Sequence, residues 1–430
     1  MTEIEQRMAE LERLGLQRRL RMVSGPQGPR VLLDGKPVLL LCSNNYLGLA
    51  DHPRVREAAA DAAMRWGVGA GASRLVSGTM TIHRRLEERL ATFERSEACV
   101  LFGSGYLANL GVIGALAGPG DVIFSDELNH ASIIDGCRAS RARVLVYRHA
   151  DAEHLQWHLT RAPRDGRRLI VTDSVFSMDG DVAPLADIAE LAEAYQACLV
   201  VDEAHATGAL GPGGRGAVAQ AGIEDQVDVL IGTLSKALGS YGAYACASET
   251  MTRYLINCAR SLIFSTAPPP PAVAGALAAL GLLEERPHRV ERLNWAARTL
   301  REALAREGFA LGASELHIIP LVVGDERTAV RMCHEAVEHG VFAQAIRPPT
   351  VPQGTSRLRL TVMASHTERE LRRAAQVLAR AARNQKLDLS LTARGPNAAG
   401  QGERAAEPAR ELQPNQPFDL EREESMAHAA

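Results

Sequence analysis

The chain has 430 residues, with 48 basic and 51 acidic side chains and a formal net charge of -3. This balance argues against a nucleic-acid-binding protein whose affinity comes from counterion release. No apolar run reaches the roughly 18 residues of a membrane span, and the charged residues 1–20 fit neither a secretory signal nor a transit peptide. The seven scattered cysteines form no CxxC pair, which predicts reduced thiols in a cytoplasmic protein without a metal site.

Four predicted units follow one another along the chain. Residues 1–52 form an N-terminal arm with an amphipathic helix and short strands, and residues 53–285 alternate strand-like with helix-like segments. Strands that are apolar throughout are typical of a mostly parallel sheet covered by helices on both faces. We therefore predict an α/β fold whose larger domain holds a seven-stranded sheet, with strands at 98–102, 121–125, 143–147, 168–172, 198–202, 227–231 and 243–247.

The remaining sequence predicts a smaller domain and a tail. Residues 286–384 combine long helical patterns with strand-like runs at 317–323 and 357–362, which indicates an α+β C-terminal domain. Residues 385–430 contain no Ile or Val and a single aromatic, Phe418. Such a segment buries too little apolar surface to offset its ordering entropy, so we predict a disordered tail outside the catalytic unit.

Lys236 follows an apolar strand within the segment VDVLIGTLSKALGSYG. Most lysines are solvated surface charges, but the apolar strand and the small residues around this one weaken that interpretation. A desolvated lysine has a lowered pKa and can form a Schiff base. The hydroxyls of Thr233 and Ser235 beside it can hold a phosphate, although the segment does not match the GxxxxGK[ST] phosphate loop.

Asp202 and His205 follow a second apolar strand, in CLVVDEAHATG. The letters DEAH also occur in helicase ATPases, but that interpretation requires a Walker phosphate loop, which the sequence lacks. A strand-end aspartate together with a strand-end lysine instead suits pyridoxal 5′-phosphate (PLP), which needs a lysine for its aldehyde and an acid for its pyridine nitrogen.

Four further segments supply candidate residues for the same site. Gly105 and Tyr106 begin a helix after FGS, and free amides at a helix N-terminus bind anions. His130 by itself reads as a surface or capping residue, whereas in a PLP enzyme a ring at this place stacks on the cofactor. Ser177 follows a strand end in DSVFSMDGDVAP, where the aspartates favour a structural turn. Arg357 and Arg359 alternate on a strand and share a face that suits a carboxylate.

Taken together, these segments resemble the α-oxoamine synthase family of PLP-dependent enzymes. The resemblance covers about residues 16–382, and it is carried by CSNNYLGL, GAGASRLVSGT, FGSGYLAN, DELNHASI, DSVFSMDGDVAPL, VDEAHATGALGPGGRG, GTLSKALGSYG and FSTAPPP. The loop AIRPPTVPQGTSRLRLT is most similar to the branch of the biotin pathway. The resemblance implies the fold type I architecture of PLP transferases, related to aspartate aminotransferase.

The resemblance also implies roles for individual residues. Lys236 would carry PLP and act as acid and base, Asp202 would pair with the pyridine nitrogen, and His130 would stack on the ring. His205 would bind the phenolic oxygen, with Ser177 nearby. The phosphate would be bound by Gly105, Tyr106, Thr233 and Ser235, and by Thr266 of a partner subunit in a homodimer. Substrate would be bound by Asn44 and Arg359 near the amino acid, and by Arg18, Arg347 and Thr350 near the acyl donor.

The activity implied by this branch is the condensation of L-alanine with a pimeloyl thioester on CoA or acyl carrier protein. The products would be 8-amino-7-oxononanoate, CO2 and the free thiol carrier. A second possibility within the family is the use of glycine or serine with another acyl-CoA. A non-catalytic binding protein on the same fold is disfavoured because both Lys236 and Asp202 are present. No nucleic-acid or membrane partner is expected.

Overall fold

The computed structural model describes residues 2–163, 165–312 and 314–393. The strands are β1 Val23–Ser24, β2 Arg30–Leu33, β3 Lys36–Leu40, β4 Ala98–Phe102, β5 Val122–Asp126, β6 Arg143–Tyr147, β7 Arg168–Asp173, β8 Cys198–Asp202, β9 Val229–Thr233, β10 Ala243–Ala247, β11 Ile318–Gly324, β12 Val341–Phe342, β13 Gln344–Ile346 and β14 Ser356–Thr361. The helices are α1 Glu3–Arg13, α2 Pro53–Trp66, α3 Thr81–Glu94, α4 Gly105–Leu116, α5 Ala131–Ser140, α6 Ala152–Arg161, α7 Leu185–Ala194, α8 Gly216–Ala221, α9 Glu249–Cys258, α10 Arg260–Ile263, α11 Pro270–Glu285, α12 His288–Arg306, α13 Glu326–Glu338 and α14 Glu368–Asn384.

The central element is a seven-stranded sheet in the order β4-β10-β9-β8-β7-β5-β6. The pairs β5–β6, β5–β7, β7–β8 and β8–β9 are parallel, whereas β10 runs antiparallel to both of its neighbours. Strands such as β5, β9 and β10 are buried along their whole length because helices cover both faces. The predicted mostly parallel α/β sheet is confirmed.

Sheet register brings the predicted functional segments to one edge. Asp173 at the end of β7 pairs in register with Asp202 at the end of β8, and the next strand, β9, ends at Thr233. The carboxyl ends of parallel strands meet at the same edge of a sheet, where ligands of such folds bind. The following loops therefore start side by side.

Two smaller sheets complete the described fold. An antiparallel sheet in the order β11-β14-β13 carries Arg357 and Arg359 on β14. A second sheet in the order β1-β2-β3-β12 joins the N-terminal segment to the C-terminal part, since β12 pairs in parallel with β3. No helix among the described residues is both long enough and apolar enough to cross a membrane. The boundaries of the four predicted units stay a prediction.

The described residues after α14 pack against the rest of the fold. The predicted disordered tail starts at 385, yet residues 385–393 pack back onto the fold. Leu387 and Leu389 contact the main apolar core, and the Val322 N–H donates to the Thr392 carbonyl at 3.1 Å. Two leucines and a buried threonine therefore anchor residues 385–393, and the boundary at 385 stays a prediction. The remainder of the predicted tail, 394–430, lies outside the described residues.

Candidate active site

Lys236 lies in the loop between β9 and β10, and two backbone hydrogen bonds within the loop hold its shape. The Leu234 N–H donates to the Gly242 carbonyl at 3.0 Å, and the Gly239 N–H donates to the Lys236 carbonyl at 3.0 Å. Gly239 has φ +61°, and a Cβ there would overlap the backbone of Ala50. Glycine is therefore required at this turn, which holds the lysine close to the sheet edge.

The sequence contains three lysines, and Lys236 is the one that is not exposed. Burial lowers its pKa to about 8, although the charges of Asp202 and Asp173 oppose this shift. Lys36 and Lys386 are solvent-exposed. A neutral amine at near-physiological pH is a nucleophile and a base, so only this lysine of the chain is prepared for Schiff-base chemistry.

Asp202 ends β8 with its side chain 4% exposed. One carboxylate oxygen, Oδ1, accepts the Ala204 N–H at 2.8 Å, and Oδ2 accepts from Asn109 Nδ2 at 2.6 Å. Asp173 lies beside it, and burial together with the Asp202 charge raises the pKa of the Asp173 carboxyl well above its usual value. The two carboxyl groups therefore differ in their hydrogen bonds, since Asp202 accepts two and Asp173 accepts the backbone N–H of His130.

His130 caps α5 next to these carboxyl groups. Its backbone N–H donates to Asp173 at 2.6 Å, and its Nδ1 accepts the Ser132 N–H at 3.2 Å. Burial lowers the pKa of the imidazole, which favours a neutral ring. The structure therefore brings His130, Asp202 and Lys236 into one cluster of interacting charges.

A second group of predicted residues meets through Tyr46. The Tyr46 hydroxyl donates to Asn44 Oδ1 at 3.1 Å and lies 2.7 Å from His205 Nδ1. With its hydrogen used on Asn44, the hydroxyl accepts from His205, which assigns the hydrogen of the neutral ring to Nδ1. Burial holds the pKa of His205 well below its ordinary value. Arg359 joins the group by donating to Asn44 Oδ1 at 3.3 Å.

Ser177 enters the site through its backbone, since its carbonyl accepts from Arg359 Nε at 2.5 Å. The surrounding turn is held by ion pairs between Arg357 and Asp179 and between His149 and Asp181, the latter at 2.6 Å. Burial lowers the pKa of His149, but hydrogen bonds to Asp126 and Asp181 outweigh it and raise the pKa to about 10. The structural role favoured for both turn aspartates agrees with these pairs, and Arg357 is a buried support.

A candidate anion site lies at the start of α4. Ser104 caps this helix by accepting the Leu107 N–H at 3.2 Å, and nothing lies within 4 Å of a Cβ placed at Gly105. The first amides of a helix have no partner inside it, so this open N-terminus can receive a phosphate. At the same edge of the sheet, the Thr233 hydroxyl lies 2.8 Å from the Ser235 hydroxyl and donates to the Gly242 carbonyl.

Some predicted residues have their hydrogen-bond partners elsewhere in the described chain. Arg347 donates to the carbonyls of Gly15 and Gln17, and Arg18 donates to the Pro348 carbonyl at 3.5 Å. These bonds tie the N-terminal segment to the loop that contains Thr350. Thr266 is exposed and forms an isolated β-bridge with Ser73. No hydrogen bond found among the described residues joins any of these side chains to Lys236 or Asp202.

Sequence reasoning missed four residues of the site, namely Tyr46, Asn109, Ser132 and Asp173. Asp173 ends a strand, which is the same signal that identified Asp202. Asn109 follows Gly105 by four residues and so lies one helical turn from the predicted anion site. Tyr46 and Ser132 occur inside quoted motifs, but the residue letters did not reveal their hydrogen-bond partners.

Comparison with known proteins identifies the family. The model of class I and II aminotransferases matches residues 36–378. The 8-amino-7-oxononanoate synthase of Geobacter metallireducens is 53% identical over 375 residues, which cover 86% of this chain and 96% of that protein. The chain belongs to the α-oxoamine synthase family. A second member, the 8-amino-7-oxononanoate synthase of Geobacter sulfurreducens, is 52% identical and is covered over 96% of its length.

Solved α-oxoamine synthases have a similar fold over most of this chain. A serine palmitoyltransferase from S. paucimobilis with a bound PLP–myriocin aldimine is 31% identical, with a TM-score of 0.85 over 89% of this chain and 97% of that one. The 8-amino-7-oxononanoate synthase of Francisella tularensis is 26% identical, with a TM-score of 0.70 over 81% and 99%. The fold is therefore that of the fold type I PLP transferases, as the sequence motifs predict.

Proposed function

We propose that this protein is an 8-amino-7-oxononanoate synthase, a PLP-dependent acyltransferase of biotin biosynthesis. It condenses L-alanine with a pimeloyl thioester and releases CO2 and the free thiol carrier. The observation that carries the proposal is Lys236, the one unexposed lysine, with a pKa lowered to about 8 beside Asp202 at adjacent strand ends. The identity of about half of all residues to synthases of this name supports the choice of reaction.

The residues at the sheet edge fit PLP. The open N-terminus of α4 suits its phosphate, the carboxylate of Asp202 suits its ring nitrogen, and Lys236 suits its aldehyde. When bound, PLP withdraws electrons from the substrate Cα. The residues that would hold it are Gly105, Tyr106, His130, Ser177, Asp202, His205, Thr233, Ser235 and Lys236.

The chain's own residues provide binding and proton transfer. Near pH 8, Lys236 is present in both protonation states, so its amine can remove a proton from the substrate Cα and return it later. Arg359 is nine-tenths buried, and its Nη2 has no hydrogen-bond partner among the described residues. A buried guanidinium with a free donor binds the carboxylate of L-alanine, and Asn44 orients that arginine.

The acyl donor would lie between the N-terminal segment and the loop of Thr350. Arg18 and Arg347 donate to backbone carbonyls there, so each guanidinium is held at this junction by neutral acceptors. A carboxylate forms stronger hydrogen bonds with a guanidinium than a carbonyl does. The distal carboxylate of the pimeloyl group can therefore replace these contacts.

The active unit is proposed to be a cytoplasmic homodimer with shared sites. Thr266 is exposed and forms no hydrogen bond found among the described residues with the cluster of its own chain, which supports a role in the site of a partner. Phe264, two residues earlier, is 72% exposed, and a large exposed aromatic is typical of an interface.

A second activity within the family is the use of glycine or serine with another acyl-CoA. The observation that favours it is the higher TM-score of the serine palmitoyltransferase, 0.85 against 0.70 for the solved 8-amino-7-oxononanoate synthase. Sequence identity points the other way, at 31% to the former and 53% to the 8-amino-7-oxononanoate synthase of Geobacter metallireducens. Substrate assays separate the two activities directly.

The test uses the full chain supplied with PLP. We expect a yellow protein that releases thiol from pimeloyl-CoA with L-alanine, and Lys236→Ala abolishes both the colour and the reaction. The double variant Lys36→Arg/Lys386→Arg is the matched control and keeps both. A colourless wild type would contradict the cofactor assignment. Thiol release from acetyl-CoA or succinyl-CoA with glycine, but not from pimeloyl-CoA with alanine, would establish the second activity instead.

A further inference from the structure

The side chain of Asn109 lies buried between two groups of the site, and it is only 1% exposed. Its Nδ2 donates to Asp202 Oδ2 at 2.6 Å and to Ser132 Oγ at 2.9 Å. Both amide hydrogens are therefore used, whereas Oδ1 is buried without a partner among the described residues. A buried acceptor without a partner costs free energy. An asparagine at this position is therefore explained by the two hydrogen bonds that its Nδ2 donates, and not by its oxygen.

The hydrogen bonds continue from Asn109 to the ring of His130. The Ser132 hydroxyl accepts from Asn109 and lies 2.7 Å from His130 Nδ1. Since Nδ1 already accepts the Ser132 backbone N–H, it is an acceptor, and the hydroxyl donates its hydrogen to it. The neutral ring then carries its hydrogen on Nε2. The hydrogen bonds that run from Asn109 through Ser132 thus set both the tautomer and the orientation of the His130 ring.

Close packing of two helices makes this bridge possible. Asn109 belongs to α4 and Ser132 to α5, and Gly136 of α5 lies directly against α4. A Cβ at Gly136 would lie 3.2 Å from the Asn109 carbonyl oxygen and 3.0 Å from Ile113 Cδ1. The missing side chain allows the backbones to approach, and the short Asn and Ser side chains can then meet.

We propose that Asn109 is a positioning residue that holds Asp202 and His130 as one unit against the PLP ring. The inference rests on the proposed function, because the roles of Asp202 and His130 belong to it. Asp202 would meet the edge of the ring at its nitrogen, and His130 would meet its face. The Asn109 amide binds Asp202 directly and His130 through Ser132. It therefore sets the position of both side chains before PLP binds.

The test compares variants of the full chain for PLP affinity. Asn109→Leu keeps the side-chain volume and removes both hydrogen bonds, and Ser132→Ala removes only the arm to His130. We expect Asn109→Leu to raise the Kd for PLP by about tenfold, the scale of one hydrogen bond to a charged group, and Ser132→Ala to raise it less. The double variant should bind no more weakly than Asn109→Leu alone, because Ser132 acts through Asn109.

A second measurement separates positioning from folding. L-alanine exchanges its Cα hydrogen for deuterium on the PLP-loaded enzyme without an acyl donor, and Asn109→Leu should lower the kcat of exchange about tenfold with little change in KM. The control is Thr252→Val, which replaces a buried hydroxyl without a partner among the described residues by a methyl group of similar size. This control should leave PLP affinity and exchange unchanged. If Asn109→Leu does not fold, Asn109→Ala takes its place in each comparison.

Wild-type values of Kd and of exchange for both Asn109 variants would overturn the proposal. If the effects of Asn109→Leu and Ser132→Ala multiply in the double variant, the two residues act independently, and the claim that they hold Asp202 and His130 as one unit would be overturned. Both results differ from a failure of the proposed function. In that case the wild type itself would fail to bind PLP or to release thiol from pimeloyl-CoA.

Discussion

Lys236 combines two opposing influences on one amine. Burial disfavours the ammonium ion, whereas the nearby Asp202 and Asp173 favour it, and the balance leaves a pKa of about 8. An exposed lysine has a pKa near ~10.4, so at neutral pH its neutral fraction is far smaller. The reactivity of this one side chain is therefore a property of its surroundings.

This pKa predicts how PLP-free protein takes up its cofactor. Below pH 8 the amine is mostly protonated and unreactive, so the rate of adduct formation should rise with pH around a midpoint of about 8 and then level off. Asp202→Asn removes a charge that raises the pKa, and the midpoint should move to lower pH. Stopped-flow absorbance measures the rate. A midpoint near that of an exposed lysine, in either protein, would contradict the account.

Strand-end residues could be identified from sequence, whereas residues that connect them could not. Lys236, Asp202 and His205 each follow an apolar strand, so a pattern of local composition located them. Tyr46 joins the candidate site because it reaches His205, which is distant in sequence, and Asn109 joins it because it meets Ser132 across two helices. Such partners depend on how segments pack, and a single sequence does not state that packing.

Among whole elements, the strands of the large sheet agree closely with prediction, and the exceptions have local causes. The strand predicted at 227–231 is β9, which begins after Asp228 because that carboxylate accepts the Leu199 N–H at 2.7 Å. The stretch 249–263 forms two helices, α9 and α10, since Ala259 between them adopts an extended conformation with ψ 100°. Ala259 packs 3.3 Å from where a Cβ of Gly111 would lie, a tertiary contact that apolar periodicity does not encode.

The stretch 385–393 makes a prediction about chain length. Ending the chain after Asn384 removes Leu387, Leu389 and the hydrogen bonds of Thr392, and should lower the free energy of unfolding by roughly 2–4 kcal/mol. Ending it after residue 393 should leave stability and thiol release at the level of the full chain, because few apolar residues follow. Urea unfolding of the PLP-free proteins measures the difference. Equal stability of the two truncated chains would show that the stretch is dispensable.

For the molecule as a whole, the proposed homodimer determines whether a site is complete. Light scattering should give twice the mass of one chain. Phe264→Glu places a charge on an exposed aromatic near Thr266 and should produce monomers with weakened PLP binding. Trp157→Glu changes another exposed aromatic, on α6, and serves as the control that stays dimeric. A Phe264→Glu protein that is monomeric yet binds PLP as tightly as wild type would refute shared sites.

The scarcity of lysine also has a consequence for chemical selectivity. PLP is an aldehyde, and free aldehydes condense with any accessible primary amine. Guanidinium groups carry nearly all of the positive charge of this chain, and they remain protonated and are poor partners for such condensation. Apart from the amino terminus, an arriving cofactor therefore meets only two exposed amines that could divert it from the correct one.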